Sequence, residues 1–467
     1  METKNIKRVL YDPSILKGLI ILAIPIFLNN LMKSLHDMVD AIFVARMPGY
    51  SQLELDAALT ALNIYFPVNF LFLALGIGLS IGTVAIVSQY IGANEEALAR
   101  LYAAKLFFMG IVLAIILILI LVIVSDVVFD VHLIAYAMGA REDALAFASE
   151  YFLVRAFDLI FVFAFIVYQA IRQAQGETLK PVVLNSIGII LNIVFTFLFI
   201  RVFEMGIVGA AFATVLANAL ILPFILHDLF FSKKHITIDV KEMMPTKESF
   251  ADMSRFAFPA AFGQAMTAFG FIIIQSLILS YGVSVSSGFS VAARLTMLLL
   301  YPVVALGQVT STYVGMNIGH NKPSRAQKSY MIMRKLSVSL MIVGVVTVLP
   351  FRNAFIAFIL GTNSSESYLI GTEFVFWLLM TQPFMAMFQT FTSLYNGAGM
   401  SRYTMILSLI RLWGFRIPLI VLYMLLFKSD GYEGIYIAMM ISNILIMPIG
   451  FYFEKKINYE IQVRLYA

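Results

Sequence analysis

Twelve stretches of mostly apolar residues alternate with short polar connections along this 467-residue chain, at roughly 15–45, 57–88, 101–125, 146–172, 180–200, 205–231, 249–281, 287–317, 329–351, 367–396, 402–427 and 432–454. About 20 apolar residues suffice to cross a bilayer as a helix, so the pattern predicts twelve transmembrane helices. It is also written twice. Pro25 opens the first half as Pro259 opens the second, and Ile91-Gly92-Ala93-Asn94 returns as Ile318-Gly319-His320-Asn321. Gly176 returns as Gly399, and Gly206, Gly209 and Asn218 return as Gly431, Gly434 and Asn443. Such a repeat predicts two six-helix bundles of equal orientation facing each other across a central site with two alternating exits. The expected division is a first lobe at 1–231, a linker at 232–248 and a second lobe at 249–467.

Composition makes the bilayer the solvent. With 61% hydrophobic residues, 13% charged residues and a mean hydropathy of +0.91, the chain has more apolar surface than a water-soluble core of this length can hide. Lys and Arg sort by loop: Lys4, Lys7, Arg8, Lys17, Arg100, Lys105, Arg172, Lys180, the runs Lys233 to Arg255 and Lys322 to Lys335, Arg402, Lys455, Lys456 and Arg464 share one side. Arg46, Arg141, Arg201, Arg352 and Lys428 fall on the other. The positive-inside rule then places both termini and the linker in the cytoplasm of a cell membrane. The first apolar segment carries charges and is followed by further spans, so no cleavable signal peptide is expected. Zero cysteines exclude disulfide and thiol chemistry. The pI near 9.1 reflects basic loops that meet anionic lipid and implies no nucleic-acid partner. No zinc ligand set, nucleotide loop or nucleophile triad is present, so neither an enzyme nor a cofactor is expected.

Charges within spans cost ~2.5–3.5 kcal/mol each on insertion scales and therefore mark candidate sites. Asn30, Lys33, Asp37 and Asp40 fall within about 80° of one another on the first helix. Two carboxylates one turn apart suit a coupling cation; alternatively, Lys33 neutralises Asp37 at i,i+4. The fifth span offers Asn185, Asn192 and Thr196, and the sixth Thr214 and Asn218, either as hard oxygen ligands or as polar bridges between helices. Arg155 and Asp158 read as a structural pair. The second half carries Arg294, Arg411 and Arg416, with Gln264 and Gln275 in its first span. Gly78-x-x-x-Gly82 and Gly315-x-x-x-Gly319 predict close helix contacts, and Pro25, Pro67, Pro259, Pro302 and Pro383 predict kinks.

Several runs carry a family resemblance: LHDMVDAIFVAR in the first span, VSQYIGANEEALAR after the second, LNIVFTFLFI and MGIVGAAFATVLAN in the fifth and sixth, AARLTMLLLYP in the eighth and the YNGAGMSRYT junction. Together they resemble the multidrug and toxic compound extrusion (MATE) transporters, in particular archaeal and bacterial members of the DNA-damage-inducible type. The resemblance implies an all-α, twelve-helix, V-shaped fold of two pseudo-symmetric lobes. It also implies export of amphipathic, mainly cationic, small molecules by alternating access in exchange for Na⁺ or H⁺, with no other cofactor. Asp40 matches the family's first-helix aspartate, and Asn192 and Thr214 match polar residues lining its cation site. On this basis the coupling ion is H⁺ or Na⁺, and in the second case Asp40, Asn192 and Thr214 are the residues that would hold the Na⁺. Thr196 departs from the pattern, because relatives carry an aspartate there. Either Asp37 restores that negative charge, or Asp40 alone carries a proton. The coupling set is thus Asp40, Asp37, Asn192, Thr196 and Thr214. Asn30, Lys33, Asn185, Asn218, Gln264, Gln275 and Arg294 are expected around the substrate, and a two-lobed carrier can work as a monomer. The rival reading is a flippase for a lipid-linked saccharide or phospholipid with an anionic headgroup, which requires the arginines to converge on the central cavity beside Lys33.

Overall fold

The computed structural model describes residues 4–44, 46–123, 142–232, 234–360, 365–427 and 431–463. Arg141, Lys233, Lys428 and Arg464 lie outside the described residues, as does the side chain of Asp37. A short helix, α1 (Lys4–Tyr11), precedes the first lobe. That lobe contains α2 (Ile15–Val44), α3 (Gln52–Gly92), α4 (Glu96–Ile123), α5 (Glu142–Ala156), α6 (Asp158–Ala174), α7 (Leu179–Phe197) and α8 (Gly206–Phe231). The second contains α9 (Lys247–Leu279), α10 (Val283–Gly319), α11 (Pro323–Val348), α12 (Arg352–Leu360), α13 (Glu366–Gly397), α14 (Ser401–Leu409), α15 (Ile417–Leu426) and α16 (Glu433–Lys455). Among the described residues, 11 helices are long and apolar enough to cross a membrane, and α5 with α6, bent by 48°, supplies the twelfth span. The fold is therefore all-α and polytopic, with six spans in each lobe.

Opposite charges flank the bend. Arg155 occupies the last turn of α5 and Asp158 the first turn of α6. Each charge thus sits at the helix end whose dipole favours it. The sequence repeat is equally a repeat of backbone: Asn94 and Asn321 take positive φ of 61° and 55°, and Gly176 and Gly399 take 73° and 76°. Asn and Gly are the residues that tolerate this region.

Packing differs between the two ends of the molecule. At the end bearing the basic loops, one apolar cluster is shared by both lobes: Ile6, Leu19, Val87, Tyr102 and Ile171 pack with Met253, Phe256, Val309 and Met316. At the opposite end the clusters separate. Val44, Leu62, Phe152 and Ile207 belong to the first lobe, and Ile274, Val291, Phe374 and Tyr436 to the second. The predicted glycine contacts form the seam. A Cβ on Gly78 would fall 2.1 Å from Ala261 Cα, and one on Gly319 would fall 2.0 Å from the Gln89 carbonyl oxygen. Inter-lobe hydrogen bonds gather at the basic end too: Tyr102 to Asp252 (3.1 Å), Gln173 to the Gln308 carbonyl (2.9 Å) and Arg325 to the carbonyls of Val9 and Asp12 (3.0 and 2.7 Å). The lobes form a V that is closed at the basic end.

Candidate functional site: polar clusters inside the two lobes

In the arm of the V that belongs to the first lobe, α2, α7 and α8 bring polar side chains together. Asp40 Oδ2 lies 3.5 Å from His36 Nε2, and the same nitrogen lies 2.7 Å from Asn192 Oδ1. The far end of the chain sets the direction of each bond. The Thr214 hydroxyl donates to the Ala210 carbonyl (3.2 Å), so its oxygen accepts from Asn192 Nδ2 (2.9 Å). Asn192 Oδ1 is left to accept from His36 Nε2–H and, at 3.4 Å, from the Thr196 hydroxyl. Hydroxyl, amide and imidazole form one hydrogen-bonded series across three helices, and the Asp40 carboxylate lies beside its imidazole end. Burial is graded along it. Asn192, Thr196 and Thr214 are 2%, 0% and 8% exposed, whereas the His36 and Asp40 side chains are 16% and 17% exposed.

Sequence reasoning placed Asp40, Asn192, Thr196 and Thr214 in this site, and the fold brings all four together. It missed His36. Asn29, Lys33, His36 and Asp40 follow 4-3-4 spacing on α2, so a stripe phased on that spacing includes the histidine. Asn29, only 2% exposed, accepts from Asn185 Nδ2 at 2.7 Å, whereas its neighbour Asn30 is half-buried.

A second cluster in the first lobe is electrically closed. Arg155 Nη1 donates to Asp158 Oδ2 (2.8 Å) and Arg155 Nε to Tyr65 Oη (3.1 Å), and Asn218 Nδ2 donates to Asp158 Oδ1 (2.7 Å). This is the structural pair that the i,i+3 spacing suggests. Nearer the basic end, Arg172, fully buried, donates to Asp228 Oδ2 (2.8 Å) and to the Ile236 carbonyl (2.8 Å), with Lys180 on the other Asp228 oxygen.

The second lobe differs. A π-helical stretch, Ile410–Arg416, joins α14 to α15 and carries Arg411 and Arg416, which are 4% and 5% exposed. Arg411 Nη1 donates to Asn443 Oδ1 (3.3 Å) and to the Met385 sulfur (3.1 Å), and its guanidinium lies 4.1 Å from the Phe388 ring centre. Arg416 donates to the same Asn443 oxygen (2.8 Å) and to Ser442 Oγ (3.1 Å). The extra residue of a π turn re-aims side chains that a regular helix would spread around its axis. These contacts lie within the second lobe, so the two arginines do not converge on the inter-lobe cleft. Lys33 is exposed on α2 and Arg294 on α10; Gln264 is half-buried, and Gln275, exposed, donates to Ser286 Oγ at 3.0 Å.

The sequence matches the MatE family over residues 25–198 and 259–422. It is 24% identical to the probable multidrug resistance protein YpnP of Bacillus subtilis over 88% of each chain. It is 22% identical to the multidrug export protein MepA of Staphylococcus saprophyticus over 60% of each. Its fold is similar to a MOP superfamily transporter of Pyrococcus furiosus, described as having a binding pocket of reverse polarity (TM-score 0.86, 22% identity, 98% of both chains). It is also similar to an outward-facing MATE family transporter (TM-score 0.84, 22% identity, 98% of both chains). With two six-span lobes and a family match across both, the chain belongs to the MatE family of multidrug efflux transporters, a family of membrane carriers rather than enzymes.

Proposed function

We propose that this chain is a proton-coupled antiporter of a cell membrane, with both termini cytoplasmic, that exports amphipathic, mainly cationic, small molecules by alternating access. The lobes at 1–231 and 249–467 rock as a monomer about the 232–248 linker. The observation that carries the coupling is the series Asp40, His36, Asn192 and Thr214. A carboxylate at the edge of the cluster meets an imidazole, and the imidazole meets an amide whose bond directions are already fixed. A proton exchanged at Asp40 changes the charge facing His36, and the neighbouring bonds need only small shifts to accommodate it.

The same geometry argues against sodium. The Asn192 amide oxygen accepts from His36 and Thr196, and the Thr214 oxygen accepts from Asn192. A Na⁺ ion at Asp40, Asn192 and Thr214 would have to displace those donors. Thr196 in place of the family's aspartate also leaves the cluster with less negative charge. The lobes meet at the basic end and part at the other. Protonation of Asp40 from the open side would release cargo and prime the first lobe to repack.

The test is substrate counterflow in proteoliposomes under separately imposed pH and Na⁺ gradients. The wild-type chain should respond to pH and not to Na⁺. Asp40→Asn and His36→Gln should each cut the pH-driven component at least ten-fold while exchange at equal pH persists. Unimpaired pH coupling in Asp40→Asn, or a dominant Na⁺ response in the wild type, would sink the proposal.

A further inference from the structure

We propose that Arg411 and Arg416 form an oxyanion-binding site inside the second lobe, taking a carboxylate or phosphate group between α13, the π turn and α16. Both residues fall well inside the Ser401–Leu426 span, about 15 and 22 Å along it from Ser401 at 1.5 Å per residue. Among the described residues neither has an ion pair, and both are almost fully buried. Their shared partner, Asn443, is neutral and offers one oxygen to two cations. Arg411 Nε is buried with no hydrogen-bond partner. An arginine presents five N–H donors, so several donors on the facing guanidiniums remain for a ligand. Glu373, the nearer of the two acids on α13, does not supply the charge. It accepts from Tyr432 (2.8 Å) and Tyr436 (2.7 Å) and lies 12 residues from Met385, about 18 Å along the helix.

The surroundings suit an amphipathic anion. Met385 and Phe388 cover Arg411, so an apolar tail would meet thioether and ring while its head meets the guanidiniums. Pro383 lies just before them in α13 and removes a helix hydrogen bond there, so this wall has a point at which to bend. The first lobe shows what a closed cluster looks like: Arg155 has Asp158, and Arg172 has Asp228. Anion binding at this pair is independent of the direction or coupling of transport.

The experiment is thermal unfolding of the purified full-length chain. One arm titrates inorganic phosphate and decanoate against chloride at equal ionic strength. The other compares nanodiscs of phosphatidylcholine with and without phosphatidylglycerol. At least one arm should raise Tm by several degrees and saturate. Phosphate or decanoate would identify a soluble ligand, and phosphatidylglycerol alone a lipid headgroup. Asn443→Asp places a carboxylate where both arginines already donate. It should raise Tm in the absence of added anion and weaken the apparent Kd at least ten-fold. Should Asn443→Asp not fold, Arg416→Lys keeps the charge, loses the fork, and should also weaken Kd about ten-fold. No saturable shift in any arm, or an undiminished shift in the variant, would overturn the site.

Discussion

Asn218 in the first lobe and Asn443 in the second occupy corresponding places in the repeat, and they are used in opposite senses. Asn218 donates its amide nitrogen to the carboxylate of Asp158, whereas Asn443 presents its amide oxygen to Arg411 and Arg416. Asp158 itself falls opposite the stretch Thr381 to Pro383, which carries no charge. One duplicated scaffold thus holds a neutralised acid in one half and, among the described residues, two cations with no acid paired to them in the other. An amide serves both because it is donor and acceptor at once, so the repeat keeps its backbone while its electrostatics diverge.

The largest effect that would break this comparison is on the closed side. Asp158→Ala strands Arg155 in a buried site and should destabilise the protein by about 3–5 kcal/mol, whereas Arg411→Met removes a charge that has no counter-ion among the described residues and should be neutral or stabilising. Denaturation of the two variants side by side decides it; equal losses would erase the distinction between the lobes.

The next effect concerns the seam. Gly319→Ala pushes a methyl into the Gln89 carbonyl and should disfavour the closed basic end by about 1–3 kcal/mol. The expected readout is a longer distance between spin labels placed on the two lobes at that end, with the opposite end drawn together. Unchanged label distances would mean that the seam tolerates the methyl.

The smallest effect is on pH. Burial, helped by the positive charge of Arg172, holds the His235 imidazole below its usual pKa. The unfolded linker therefore binds more protons than the folded one. The stability that His235 contributes is complete above the ordinary histidine range, near pH 6.5, and is lost as pH falls through the lowered value. Hydrogen exchange of the 234–239 segment should quicken modestly below pH 6.5, and His235→Gln should flatten that dependence.

The spans and the repeat are legible in the sequence because hydropathy and turn residues are local signals. Asn94 and Asn321 sit in matching positive-φ turns, and Gly78 and Gly319 mark helix approaches as their spacing suggests. The convergence of Asp40 with Asn192, Thr196 and Thr214 is legible as well, from polarity inside apolar segments. His36 is less visible, because a stripe phased on Asp37 rather than on Asn29 and His36 points elsewhere around the helix. The partners of Arg411 and Arg416 are not legible at all. No periodicity links residues 26 to 32 positions apart on separate helices, and the π turn that aims them has no sequence signature here.

The glycines of α3 have one further consequence. Gly78 and Gly82 meet Ala261 and Ala257 of α9 nearly backbone to backbone, so this stretch of the crossing has few rotamers to rearrange. Two smooth strips can roll over each other with little friction. In the proposed rocking of the lobes, the tempo is then governed by what must be unfastened at the basic end, and the middle serves as its bearing.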